Sequence, residues 1–210
     1  MNQTTTNLIL VIITGNKNKV KEINKILINF PLPIKTYTEL FNELPDIVED
    51  GNTFSENALK KVAIANQKNE ANQYIFIGED SGIEVEALDG RPGIYSARYA
   101  GKNATREEMC KKLLSELKDN PNRNAQYQAS IAIKYPNNTI KTVTGIVKGK
   151  IATSMKGEEG FGYDPIFIPN GYNKTFGELS EKIKHSLSHR FKALELTQKE
   201  IFNFLNTYTT

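Results

Sequence analysis

Leu8-Ile9-Leu10-Val11-Ile12-Ile13 runs directly into Thr14-Gly15-Asn16-Lys17-Asn18-Lys19. A strand with one wet face alternates apolar and polar residues, so an unbroken run rich in β-branched residues predicts a strand covered on both faces. The run is far too short to span a bilayer, and no basic leader precedes it. Val20, Ile23 and Leu27 then recur on one helical face, and Pro31 and Pro33 stop the pattern. Strand, glycine turn and helix in succession open an α/β fold.

The pattern continues outward from there. Thr53 and Glu56 have capping-box spacing, and Phe54, Ala58, Val62 and Ala65 follow as an apolar stripe, which predicts a second helix. Tyr74 to Gly78 reads as a buried strand ending in a loop, Glu79-Asp80-Ser81-Gly82. Ile83, Val85 and Ala87 alternate as a half-buried strand, and Gly90-Arg91-Pro92-Gly93 is a turn cluster. Thr105 to Leu117 predicts a capped helix with Met109, Leu113 and Leu117 inward. Tyr127, Ala129, Ile131 and Ile133 alternate, and Asn137-Asn138 turns the chain into a partner strand from Thr139 to about Ile151. A glycine-rich segment from Gly157 to Gly162 precedes a short strand at Ile166–Ile168. Phe191, Leu194, Ile201 and Leu205 mark a terminal helix. No repeat, low-complexity linker or domain boundary interrupts the chain. The expectation is one domain over 1–210, with residues 1–7 a flexible polar terminus.

The 210 residues suffice for a substantial core, and 39% hydrophobic with 24% charged residues is the usual globular mixture. A formal charge of +3, with both signs interspersed, gives no basic footprint for nucleic acid. Cys110 is the only cysteine, so neither an intrachain disulfide nor a cysteine metal cluster can form. That fits a reducing cytoplasm.

Four segments combine glycine with polar groups where a loop is expected to leave a strand or enter a helix, the usual lining of an α/β ligand crevice. Thr14 to Lys19 fits a phosphate cradle at a helix start, and equally an ordinary turn with a solvated lysine; it lacks the spacing of a nucleotide P-loop. Glu49-Asp50-Gly51 and Glu79-Asp80-Ser81-Gly82 offer carboxylates of the kind that hold Mg²⁺ beside substrate phosphates, or that simply satisfy helix starts. Phe161-Gly162-Tyr163-Asp164 sets an aromatic ring between glycines, either to stack a base or to fill the core. If Ser188 caps the terminal helix, His189 and Arg190 fall in its first turn. Cations oppose the helix dipole there, and a bound anion or polar ligand would offset that cost.

These segments together resemble the inosine triphosphate pyrophosphatase family, the Ham1-like enzymes. The matching stretches are Thr14-Gly15-Asn16 with Lys19, and Thr53-Phe54 with Glu56-Asn57-Ala58. They continue through Asp80-Ser81-Gly82 and Pro92-Gly93-Ile94-Tyr95-Ser96-Ala97-Arg98-Tyr99 with Gly101. Gly160-Phe161-Gly162-Tyr163-Asp164-Pro165 and Ser188-His189-Arg190 complete them, in the family's order.

The resemblance implies an elongated, two-lobed α/β fold around a central mixed sheet, with the nucleotide in a cleft and two copies forming a homodimer. It implies Mg²⁺-dependent cleavage of non-standard purine triphosphates (ITP, dITP, XTP) to monophosphate and pyrophosphate, which keeps them out of DNA and RNA. By position, Thr14, Gly15, Asn16, Lys17, Asn18 and Lys19 would hold the triphosphate. Asp80 would be the catalytic acceptor and a metal ligand, and Glu49, with Asp50 beside it, the second metal carboxylate. Ser81 would contact substrate. Phe161, Gly162, Tyr163 and Asp164 would form the base pocket, completed by Lys184, His189 and Arg190. One position departs: His185 stands where the family often has Asn, which is expected to alter local pH dependence rather than the reaction.

Base choice has a physical rationale. Hypoxanthine and xanthine carry a 6-keto acceptor where adenine carries an amino donor, so fixed donors such as Arg190 or backbone N–H groups favour the first and reject the second. Guanine shares the keto group, and its rejection must depend on position 2. The competing readings are a Maf-type pyrophosphatase for other modified nucleotides and a nucleotide-binding module without turnover.

Overall fold

A hydrogen-bonded ladder joins six strands in the order β2-β1-β3-β4-β5-β6. The computed structural model describes residues 7–67 and 73–208. The strands are β1 (Ile9–Ile13), β2 (Ile34–Thr36), β3 (Tyr74–Val85), β4 (Asn124–Lys134), β5 (Ile140–Ile151) and β6 (Phe167–Pro169). The helices are α1 (Lys17–Ile26), α2 (Tyr37–Phe41), α3 (Phe54–Ala63), α4 (Arg106–Glu116), α5 (Glu181–Leu187) and α6 (His189–Tyr208). β1 pairs in parallel with β2 and with β3, while β5 and β6 pair antiparallel. β4 and β5 are neighbours joined only by residues 135–139, too short a link for a parallel crossover, so they form a hairpin. The expected α/β fold on a mixed sheet is therefore present.

The described residues fall into two compact units. One comprises those within 1–80, 130–144 and 192–210; the other comprises 81–129 and 145–191. Each has its own core. In the first, Val11, Ile13, Phe76 and Ala132 pack with Ala58 and Val62 of α3. In the second, Ile83, Val85, Tyr127, Phe167 and Phe176 pack with Leu113 of α4.

The largest departure from expectation is β3. Tyr74–Gly78 and Ile83–Val85 were expected as two strands separated by a loop, with Ala87 in the second. They are one twelve-residue strand, with Glu79 to Gly82 inside it. Glu79 and Asp80 are 4% and 7% exposed. Buried carboxylates persist only where partners compensate lost hydration; Lys19 of α1 faces the Glu79 carboxylate at 3.7 Å, and α3 supplies the partners of Asp80, as described below. Gly82 stays in the strand because Ser96 fills the space a side chain would need: Ser96 Oγ accepts Ile83 N–H at 2.9 Å and donates to the Gly93 carbonyl at 2.6 Å. Ala87 lies in a 3₁₀ turn, Glu86–Leu88.

Other expectations need smaller changes. The β4 alternation holds only to Gln128, because Ala129 to Lys134 are all buried. α2 was not anticipated, although Thr36 and Glu39 form a full capping box at its start. Nor was α5, which Ser180 caps. α3 and α4 begin at the expected capping positions, and α4 closes its capping box between Thr105 and Glu108, whereas the Asn16 cap of α1 was not anticipated. Leu194 and Ile201 of α6 are fully buried, but Phe191 and Leu205 only partly. Apart from exposed Asn7, the terminus expected to be flexible lies outside the described residues. No helix among the described residues is long and apolar enough to cross a membrane.

Gly78 sets how closely α3 approaches β3. A Cβ there would lie 2.6 Å from Lys61 Cβ and 2.9 Å from the Ala58 carbonyl oxygen. Gly78→Ala must push the helix away, and overpacking of this kind costs about 1–3 kcal/mol. Urea denaturation should show that loss; an unchanged midpoint would mean that α3 is not held at contact distance.

Candidate active site

In the first unit the site is built by α3. Thr53 caps this helix by accepting Glu56 N–H at 3.1 Å, while the Glu56 carboxylate reaches back to Asn52 N–H at 2.7 Å. Asn57 and Lys61 are four residues apart, hence on one helical face. That face meets β3, and the two side chains' residues are only 1% and 6% exposed. Asn57 Nδ2 donates to Asp80 Oδ2 at 2.9 Å, and its Oδ1 accepts Gly51 N–H at 2.9 Å. One side chain thus ties the acidic loop before α3 to the acidic middle of β3.

Lys61 completes the arrangement. Its ammonium donates to Glu49 Oε2 and to the Glu79 carbonyl, each at 2.9 Å, and lies 3.5 Å from Asp80 Oδ1. Three donors meet three acceptors. Asp50 turns away, is exposed, and pairs with Lys60. Glu49, rather than Asp50, is therefore the carboxylate that shares a partner with Asp80. Thr14, Gly15, Asp46, Glu49 and Lys61 line one cavity of about 390 Å³.

The Thr14–Lys19 loop satisfies part of its own backbone. Asn16 Oδ1 accepts the amides of Asn18 and Lys19, at 3.0 and 3.3 Å, and Thr14 Oγ1 accepts that of Asn16 at 3.1 Å. Two helix-start amides expected to face phosphate are thus occupied by Asn16. Lys17 and Asn18 are exposed, whereas the Lys19 ammonium lies 3.7 Å from Glu79 Oε1.

The second unit gathers the other candidates around the glycine loop. Gly157, Gly160 and Gly162 adopt positive φ, which turns the loop tightly. Asp164 Oδ2 accepts Phe161 N–H at 2.8 Å and Lys184 Nζ at 2.7 Å. Half-buried Phe161 has the Lys184 ammonium 5.0 Å and the Arg190 guanidinium carbon 5.5 Å from its ring centre, within cation–π range. Arg190, 1% exposed, donates to Ser81 Oγ at 3.2 Å. His189 stacks on Tyr127, with ring centres 4.6 Å apart and planes 6° from parallel. As expected, Ser188 caps α6, accepting Phe191 N–H at 3.1 Å.

Tyr163 packs into the core, and its hydroxyl donates to the Ser96 carbonyl at 2.9 Å. Burial holds that phenol well above its ordinary pKa. Beneath the loop, the Cys110 thiol contacts the Gly162 carbonyl at 3.5 Å, and burial pushes the thiol up to about 12. Lys184 and His185 lie on α5 rather than in a loop, and His185 Nε2 is 3.9 Å from Glu181 on the same helix.

The expected residues are thus gathered within each unit. Glu49 and Asp80 meet through Lys61 in the first, near Thr14, Gly15 and Lys19. Ser81, Phe161, Gly162, Asp164, Lys184 and Arg190 meet in the second. Sequence reasoning named neither Lys61 nor Asn57 as a site residue. Their four-residue spacing within the otherwise apolar α3 stripe was the available signal. Among the described residues, no group of three or more His, Cys, Asp or Glu side chains could hold a metal ion. The donor set, two carboxylates near one point, suits a hard cation that brings oxygen ligands with it.

The Ham1 family profile matches residues 10–200 of this chain. The chain belongs to the Ham1 family. Among its relatives, a dITP/XTP pyrophosphatase of Desulfotalea psychrophila is 46% identical over 88% of this chain and 81% of its own length. One from Rhodopirellula baltica is 40% identical over 96% of both chains. The solved structure of the Staphylococcus aureus Ham1 protein superposes with a TM-score of 0.81 at 38% identity, covering 93% of this chain and 98% of that one.

The Asp164–Lys184 pair of this Ham1 chain is buried, each side chain about 5% exposed or less. Breaking such a pair from one side leaves an uncompensated charge and costs about 3–5 kcal/mol. Lys184→Met should lose stability on that scale in chemical denaturation. Adding Asp164→Asn should recover most of the loss; no recovery would mean that Lys184 stabilises by packing alone.

Proposed function

We propose that this chain hydrolyses dITP, ITP and XTP between the α and β phosphates, giving the monophosphate and pyrophosphate and so clearing these nucleotides from the precursor pool. The reading is carried by one observation: Asp80 and Glu49, buried and half-buried, converge on the Lys61 ammonium inside a chain of the Ham1 family. Relatives that match nearly its whole length and are named dITP/XTP pyrophosphatases support it.

Asp80 and Glu49 would hold Mg²⁺, which supplies charge neutralisation and polarisation of phosphoryl oxygens when bound. Asn57 fixes the Asp80 carboxylate through Oδ2. The carboxylate takes the proton of the attacking water as the water oxygen bonds to the α phosphorus, and the bond from that phosphorus to the bridging oxygen breaks, releasing pyrophosphate. Lys19 and Lys61 offset the charge of the phosphates. In the other unit, Phe161 offers its face to the base, while Asp164 and Lys184 hold the loop that carries the ring. Arg190 and Ser81 provide donors for a keto oxygen. All 210 residues act as one catalytic domain, working as a homodimer in the cytoplasm.

A nucleotide panel with Mg²⁺, scored separately for pyrophosphate and orthophosphate, tests the assignment. Rapid pyrophosphate release from dITP and XTP, with little from ATP or GTP, is expected. Pyrophosphate from a different base would move the substrate to that of a Maf-type enzyme, and binding without turnover would make the chain a nucleotide-binding module. In the same assay Asp80→Asn should lose at least about 100-fold in kcat, the usual scale for a positioned proton acceptor, while circular dichroism at the assay temperature shows the fold retained. Near-normal turnover would remove Asp80 from the chemistry.

A further inference from the structure

We infer that Lys61 excludes Mg²⁺ from the substrate-free site, so that the metal enters together with the nucleotide rather than before it. This inference rests on the assignment of Glu49 and Asp80 as metal carboxylates. The Lys61 ammonium already sits where their charges converge, 2.9 Å from Glu49 Oε2 and 3.5 Å from Asp80 Oδ1. It is anchored by a third acceptor, the backbone carbonyl of Glu79 at 2.9 Å, which does not leave when the carboxylates are recruited elsewhere. Its side chain is 7% exposed, so water screens little of its charge. Gly78 lets the base of the side chain sit against β3, since a Cβ there would lie 2.6 Å from Lys61 Cβ.

A divalent cation approaching the same two carboxylates therefore meets a fixed like charge a few ångströms away, and two of the attractions it needs are already spent on that charge. A triphosphate reverses the balance. It brings several negative charges and the oxygen ligands that Mg²⁺ prefers, and Lys61 then becomes attractive to the incoming complex. The same ammonium thus opposes the bare ion and favours the metal–nucleotide complex.

Calorimetric titration with Mg²⁺ decides the matter. The wild-type chain alone should show no saturable uptake at millimolar Mg²⁺. With a dITP analogue bearing a methylene between the α and β phosphates, and with the heat of Mg²⁺ binding to the free analogue subtracted, Mg²⁺ uptake should appear at lower concentration. Lys61→Met should bind Mg²⁺ without nucleotide at least ~10-fold more tightly than wild type, since one full repelling charge is removed, and its melting temperature should rise with Mg²⁺ while that of the wild type does not. Wild-type protein that binds Mg²⁺ as tightly without the analogue as with it would overturn the inference and leave the metal assignment standing. A Lys61→Met chain that folds and gains no affinity would also overturn it. Absence of Mg²⁺ uptake beyond that of the free analogue would instead remove Glu49 and Asp80 as metal ligands. The two wild-type titrations decide the question even if the variant does not fold.

Discussion

A single buried ammonium organises the first unit. Lys61 would be costly to bury alone, and Glu49 and Asp80 would be costly to gather without it. Together they satisfy one another, and the geometry follows from that mutual need. α3 must approach β3 closely enough for a lysine to reach across, which requires glycine at position 78. Asn57, one turn earlier on the same helix face, then meets Asp80 and the backbone of Gly51. The acidic loop, the helix and the strand are held as one piece by two side chains, and the carboxylates are aimed before any ligand arrives.

The second unit solves a comparable problem with the charges reversed. Asp164 sits under a glycine-rich loop and binds that loop's own backbone, and Lys184 balances it. Phe161 is thereby presented partly to solvent with two cations near its ring. The pair beneath the loop removes much of its freedom, so the ring is held in one place.

Much of this was legible in the sequence, and the failures have a common cause. The Leu8–Ile13 run, the caps at Thr53 and Thr105 and the hairpin at Asn137-Asn138 declare themselves locally, since periodicity and capping are short-range. Glu79 to Gly82 does not. Two acids, a serine and a glycine look like a loop to any local rule, and only partners distant in sequence, Lys19, Asn57, Lys61, Ser96 and Arg190, make them a strand interior. The same holds for Lys61, which reads as a solvated charge until β3 is placed against it. The motif segments pointed to residues that the fold gathers, Asp80 and Glu49 in one unit and Phe161 to Arg190 in the other. They could not show that Asn16 caps its own helix, that Tyr163 belongs to the core, or that Asp50 faces away.

The chain's sole thiol has a further consequence. Cys110 is fully buried against the Gly162 carbonyl, and its thiol is held up to about 12. Oxidants and mixed-disulfide formation act on accessible thiolates. At neutral pH this protein offers none, and the residues assigned to its chemistry are oxygen and nitrogen groups. Its thiol therefore gives the redox poise of the surroundings no hold on the glycine loop above it.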